Sequence, residues 1–455
     1  MNMRSNRTKL VGLITLCIIA SLLISPVRAD EEYHVIATMQ APTPTSSGGF
    51  GTDLALYEDT ILISEEDADL GDLTRVGRAY IFDSDWNLVA TLQQPSPKAY
   101  ETFGRSIDMW DDTLAISSAT NVEDMEYAGK VYIYDSEGVL RTTIQSPEPE
   151  TEGGFGSEIC LYRDIMLVAE GFKNDQGFYD SGVVHIFNSE EDFLRTIRSP
   201  SPIDIGAFGW SIDANDEFVL ITEPGNRFVN PIPNGSVYVF NREYELVATL
   251  HSPDHQERTY FGISVAISGD HIVVGEHWAS VDGYERAGRA HIYDTDWNLV
   301  ATLQSPTPED NGEFGMDVDI GGGLVVVGER KGDVLTMNEG KAYVFDLEGN
   351  LVDTLVSPEP EVGAQFGWRV VTDGEIVVVA DALHSVDGVS RAGTVHVFGL
   401  GEPAAEQPAP EEETTETESE PESDKSGGIP GFPLESIVIS IVLAVLVLWF
   451  IRRQR

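Results

Sequence analysis

Short runs of alternating apolar and polar residues recur along most of the chain, four to each stretch of some fifty residues. Residues 261–313 read FGISVAISGDHIVVGEHWASVDGYERAGRAHIYDTDWNLVATLQSPTPEDNGE. Within them ISVAI, HIVVG, RAHIY and LVATL carry the period-two or β-branched signature of strands. The SGD and DTDW segments are hairpin turns. Four antiparallel strands in so short a stretch build one blade of a β-propeller.

The stretch repeats. A Phe-Gly pair stands at Phe50, Phe103, Phe155, Phe208, Phe261, Phe314 and Phe366, in steps of 52 or 53 residues. Periods of this size mark propellers and solenoids. Every copy ends its third strand on an aromatic: Phe82, Tyr134, Phe187, Phe240, Tyr293, Phe345 and Phe398. These are expected to fill the gaps between blades. A Gly precedes that strand in each copy, from Gly77 to Gly393, where a Cβ is expected to be excluded. Copies one to six close with a fourth strand, such as LVATLQQPSP, but copy seven stops at AGTVHVFGLGEP. The missing strand is VIATMQAPTP at Val35–Pro44. The expected fold is therefore all-β: a seven-bladed β-propeller of four-stranded antiparallel blades, closed by an N-terminal strand.

FGISVAISGDHIVVGE and AGRAHIYD resemble the FG-GAP repeat of integrin-α-type propellers and of many microbial surface proteins, and the likeness runs from Phe50 to Phe398. The resemblance implies an extracellular seven-bladed propeller used for adhesion or ligand binding. Calcium-binding members carry a D-x-D-x-D-G-type loop between first and second strands. Here those links are as short as YED, WDD or GGG, with too few spaced oxygens to cage calcium. In place of the alanine of the GAP segment stand Glu65, Glu170, Glu223, Glu276, Glu329 and Asp381, and Ser118 in copy two.

The formal charge of −48 excludes a nucleic-acid partner, which needs clustered Lys and Arg. Of the two cysteines, Cys17 lies in the leader, so Cys160 has no partner in the mature chain and reads as a small buried hydrophobe. Arg4, Arg7 and Lys9 precede an apolar run, Leu10–Ile24, and Val27 and Ala29 form a small-residue cleavage site. Residues 1–29 are thus a signal peptide. Residues 30–400 are the propeller, and 401–428 form an acidic Pro/Glu/Thr/Ser stalk expected to be disordered. In 429–455 an apolar stretch, Phe432–Ile451, is long enough to span a bilayer and is followed by Arg452, Arg453 and Arg455. Pro430–Phe432 with that stretch and Arg tail resembles the PGF-type sorting signal of archaeal surface proteins, which implies cleavage and a lipid anchor. Pro433 and Glu435 depart from its commonest form. The propeller is expected outside the cell and the Arg tail in the cytoplasm before any processing.

Candidate chemistry falls on one face. The second-to-third and fourth-to-first links share it and are long, and long loops on a rigid scaffold carry binding. Loop candidates for a ligand are His277, Trp278, Asp282, His384 and Asp387, around the shared phrases SVDGYERAG and SVDGVSRAG. The six acids enter those loops at one radius. They are read as a metal-attracting ring or as caps on the backbone N–H groups of the adjacent Phe-Gly turn, and one acid per blade suits the structural job. The carboxylates of EEDADLGD, Glu65–Asp72, are a further metal candidate. The sequence requires no cofactor; calcium is the one the ring could take. His185, His291 and His396 sit in a third-strand slot that Tyr fills elsewhere and read as core. Asn234–Ser236 is a glycosylation acceptor. No catalytic motif appears, so the chain is not expected to be an enzyme. It reads as a surface-anchored recognition module for an extracellular protein or polysaccharide. The alternatives are a carbohydrate-active or other hydrolytic propeller, in which two loop-face carboxylates would act, and a structural envelope component.

Overall fold

The second and third strands of each copy are apolar at nearly every position and the fourth alternates, because the first two are inside a sheet and the last is its edge. The computed structural model describes residues 32–58, 60–225, 235–334 and 337–400. The leader, stalk, C-terminal apolar stretch and Asn234 lie outside the described residues. Among those described, twenty-eight strands, β1–β28 in chain order, form seven four-stranded antiparallel sheets. In blade one, β2 (Phe50–Tyr57) is innermost, followed outward by β3 (Thr60–Glu65), β4 (Arg78–Phe82) and β5 (Leu88–Leu92). Ile61, Leu62 and Ile63 on β3 have no exposed surface, whereas Leu88 and Val89 on β5 are 40% and 50% exposed.

The blade ending at β28 (Thr394–Leu400) takes its outer strand from β1 (Tyr33–Gln40). The two pair antiparallel from Tyr33↔Leu400 to Gln40↔Thr394, with a bulge between Val35 and Ala37. Fourth strands elsewhere bulge against their third strands in the same place, as at Ile81/Phe82. The first and last described strands are therefore hydrogen-bonded neighbours, as the split repeat predicts.

The core is divided among seven clusters, each shared by two adjacent blades. One joins Phe50, Tyr80 and Phe82 to Val378, Ala380, Val395 and Val397. The third-strand aromatics fill these seams as expected. Phe82 meets Phe50 edge-on at 6.3 Å, and Phe398 meets Phe366 at 5.9 Å. Burying each such ring stabilises the fold by about 1.5–3 kcal/mol. Gly288 has φ of +90°, and a Cβ there would lie 2.0 Å from the Phe314 carbonyl oxygen of the next blade. The Gly before each third strand thus admits the neighbouring blade's backbone. Among the described residues no helix is long and apolar enough to cross a membrane.

Candidate functional site

All six acids at the ends of the second strands are buried, and five are hydrogen-bonded one by one, whereas neither carboxylate oxygen of Asp381 has a hydrogen-bond partner. Glu329 accepts hydrogen bonds from Tyr343 Oη at 2.5 Å and Ser305 Oγ at 3.1 Å. Glu223 does the same with Tyr238 (3.1 Å) and Ser199 (2.6 Å). Glu65 takes Tyr80 (2.5 Å) and Thr45 (2.9 Å). In blades three and five His replaces Tyr: His185 Nε2 and His291 Nε2 each lie 2.9 Å from Glu170 and Glu276. In blade seven His396 bonds Thr38 (3.0 Å) and Thr394 (3.2 Å) instead. The serines come from the Ser-Pro ends of the preceding blades, so each bond of that kind stitches two blades together. Blade two, with Ser118 at the acid position, uses a carboxylate all the same: Ser118 donates to Gln94 (2.8 Å), which donates to Glu101.

The expectation that the acids cap the Phe-Gly turn is corrected here. Those N–H groups are taken by backbone carbonyls: Phe103 N–H donates to Val76 O and Gly104 N–H to Ser117 O, both at 2.8 Å. Glu65, Glu170, Glu223, Glu276 and Glu329 are bonded to side chains instead. Glu65, Glu170, Glu276, Glu329 and Asp381 are 0% exposed and Glu223 3%, and the six lie in six blades without converging. In EEDADLGD, Asp67 pairs with Arg75 Nε at 2.6 Å, and Asp69 accepts the Arg75 backbone N–H at 2.9 Å. Among the described residues no three His, Cys, Asp or Glu side chains are grouped so as to hold a metal ion.

The innermost strands surround an axial cavity of about 200 Å³. Strand alternation sends the third residue after each blade's Phe toward the axis: Asp53, Ser106, Glu158, Ser211, Ser264, Asp317 and Arg369. The residue two further on forms a second tier with Asp108, Cys160, Asp213 and Asp319. These side chains clasp the next blade. Asp53 accepts the Ile107 N–H (2.8 Å), Asp108 that of Leu161 (2.5 Å), Asp213 that of Ile267 (2.6 Å) and Asp319 that of Thr372 (2.6 Å). Arg369 lies 3.1 Å from Asp53 and 3.3 Å from Asp317. Burial pushes Asp53 up to about 6 and Asp108, Asp213 and Asp319 up to about 7. Burial first, then the neighbouring carboxylates, raises Glu158 well above the ordinary range. Cys160, 4% exposed, is an unreactive buried thiol, its pKa raised chiefly by burial.

On the long-loop face the axial cavity opens into a depression between blades three and six. Its apolar half, about 360 Å³, is lined by Phe172, Trp210, Tyr260, Ile263, Trp278 and Met316, with His277. The passage between this half and the axis is lined by Glu66, Arg105, Glu158, Trp210 and Arg369. Trp210 borders all three spaces and is 45% exposed. Tyr260 and Trp278 meet edge to face at 4.7 Å, and Arg286 covers Trp278 at 4.2 Å. His277 is 5% exposed, and its Nδ1 has no hydrogen-bond partner; neither has Trp278 Nε1. Burial pulls His277 down to about 3, so it is neutral.

Of the five loop candidates, His277 and Trp278 line this depression. Asp282 is exposed at the tip of the same loop. His384 and Asp387 belong to blade seven, where His384 lies 3.5 Å from Glu361 and 3.7 Å from Asp381, and Asp387 is exposed. The shared SVDG phrase forms a small hairpin tip, Val281↔Tyr284 and Val386↔Val389, that blade one repeats at Leu70↔Leu73. Sequence reasoning missed Trp210 and the axial acids. Their signal was present: Trp210 breaks a position held by Thr, Arg, Ser, Ile and Met in the other copies, save Trp368, and the acids recur at fixed offsets from Phe. The His185–Glu170 and His291–Glu276 pairs are buried, as the core reading of those histidines expects.

Residues 244–293 and 297–345 match the FG-GAP repeat family. No curated protein matches the chain significantly. Among solved structures, the crystal structure of BamB from Moraxella catarrhalis is similar at 10% identity and a TM-score of 0.42, over 81% of this chain and 99% of that one. The chain is a seven-bladed β-propeller that carries FG-GAP repeats.

Proposed function

We propose that the protein is a surface-anchored extracellular recognition module that holds a protein or polysaccharide ligand against its long-loop face. The observation that carries this reading is the depression at the mouth of the axis. An apolar, aromatic-lined cavity with a few polar groups at its edge is the ordinary form of a binding site. His277 Nδ1 and Trp278 Nε1, buried and unpartnered in its wall, support it too, because natural interiors rarely leave such atoms unmatched. The basic-apolar leader and the apolar C-terminal stretch with its Arg tail support export and anchoring.

The test is intrinsic tryptophan fluorescence during titration with fractionated extracellular polysaccharides and secreted proteins. A ligand of this face shifts the emission of the native protein and binds Trp210→Ala at least about tenfold more weakly. Equal affinity of the native and Trp210→Ala proteins for every ligand found would remove the depression as the site.

A further inference from the structure

We propose that the apolar half of the depression holds an uncharged pyranose unit of a polysaccharide. This rests on the reading of the long-loop face as the binding face and names its ligand class. Three observations about the wall carry it: its rings, its unmet polar atoms and its charge.

The rings come first. Trp210 stands at the mouth, 45% exposed, and Tyr260 and Trp278 meet at 4.7 Å behind it. The negative face of an indole attracts the polarised C–H groups on the apolar face of a pyranose. The space of about 360 Å³ lies in the range of small-ligand sites, about 300–1,000 Å³. Its walls come from blades three to six, which makes it a cup. Extended peptides and helices dock along sheet edges or grooves instead.

The polar atoms separate a sugar from an apolar side chain of a partner. His277 Nδ1 and Trp278 Nε1 are buried in this wall without a hydrogen-bond partner, and so is Thr259 Oγ1 beside Tyr260. An apolar occupant would leave all of them unmet, which is costly. A sugar hydroxyl both donates and accepts, so it answers the indole N–H, and it answers His277 in either tautomer. The charge then selects among sugars. Among the described lining residues only Asp180 is charged, since His277 is neutral, and there is no cation. Arg105 and Arg369 in the passage behind stand with Glu66 and Glu158. A lone carboxylate in a protein of net charge −48 repels uronates and sulfated sugars, whereas it accepts hydrogen bonds from neutral hydroxyls.

The experiment measures binding to the full chain by calorimetry in a sugar-free detergent. The probes are neutral tetrasaccharides of glucose, mannose, galactose and N-acetylglucosamine, and a tetragalacturonate. Indole and p-cresol stand for the apolar side chains of a protein partner. At least one neutral oligomer is expected to bind at one site, and the uronate is not. Trp210→Ala should weaken binding about tenfold or more. Trp278→Phe keeps a ring and loses the N–H, and should weaken it about threefold or more. A native melting temperature in both variants guards against misfolding. Glu190→Gln, outside the depression, should change nothing. Affinity should stay within about twofold between about 50 mM and 500 mM salt, because no charge pair is screened. Failure of every neutral oligomer to bind overturns the proposal. So does a bound sugar indifferent to both tryptophan variants, or tighter binding of the uronate. If indole or p-cresol binds in place of the sugars and Trp210→Ala loses it, this inference falls and the face stands for a protein ligand. If no ligand of any kind responds to Trp210→Ala, the face itself is lost.

Discussion

Glu329 shows how a carboxylate is kept inside a protein: two hydroxyls donate to it, and burial pushes its pKa up to about 7. A group whose folded pKa is raised lends its full stability below the ordinary carboxylate range and loses it as pH rises toward 7. Glu329→Gln, which cannot titrate, is therefore expected to flatten the fall of Tm between pH 5 and pH 7.5, read by calorimetry. Ser305→Ala removes a donor from a neighbouring blade and should cost about 1 kcal/mol in denaturant melts. Gly288→Ala should cost more, about 2 kcal/mol or above, because a left-handed backbone and a collision with Phe314 act together. At this scale the sequence told which residues are buried but not whom they touch. The acid and its aromatic or imidazole partner lie about fifteen positions apart on paired strands, and the serine comes from another blade. No local pattern announces such pairs, whereas Phe82 or Phe398 is legible as core from its place in a strand.

The elements were nearly all readable, because a repeat seen seven times averages out the ambiguity of any one copy. HIVVG, RAHIY and LVATL became His271–Glu276, Arg289–Asp294 and Leu299–Leu303. The innermost strands were the least accurate. ISVAI became Val265–Ser268, and blade four keeps only Ile212–Ala214. There the chain turns at the Phe-Gly pair and clasps its neighbour before regular pairing begins, which blurs the period-two signal. The bulge in β1 was also invisible, since one extra residue in a short apolar run leaves the composition unchanged. Deleting residues 33–40 should expose Val395, Val397 and Phe398, all buried in the intact ring. The expected result is a lower Tm and faster proteolysis of the last blade. An unchanged melt would mean that β1 contributes little to closure.

For the whole molecule, the raised acids outnumber the groups that oppose them. Asp53, Glu66, Asp108, Asp213, Glu223, Asp319, Glu329 and Asp381 are pushed to about 6 or 7, chiefly by burial. His277 and His396, pulled by burial to about 3 and 4, work the other way, losing stability as pH falls below the ordinary imidazole value. Eight groups against two predict a higher Tm near pH 5 than near pH 8 at fixed salt. A maximum at pH 8 would contradict the burial of these acids. The axial tier stayed hidden because which residues meet at an axis follows from closing the ring, not from any one blade. Closing the ring also has a consequence in time. β1 is the first described strand to be synthesised and β28 the last, and Thr38 waits for His396, 358 residues away. Every earlier blade can pair its strands as they emerge, but the final seam cannot form until the propeller chain is complete. Its closure carries the largest loop-entropy cost, so blade seven should be the last to gain hydrogen-exchange protection on refolding.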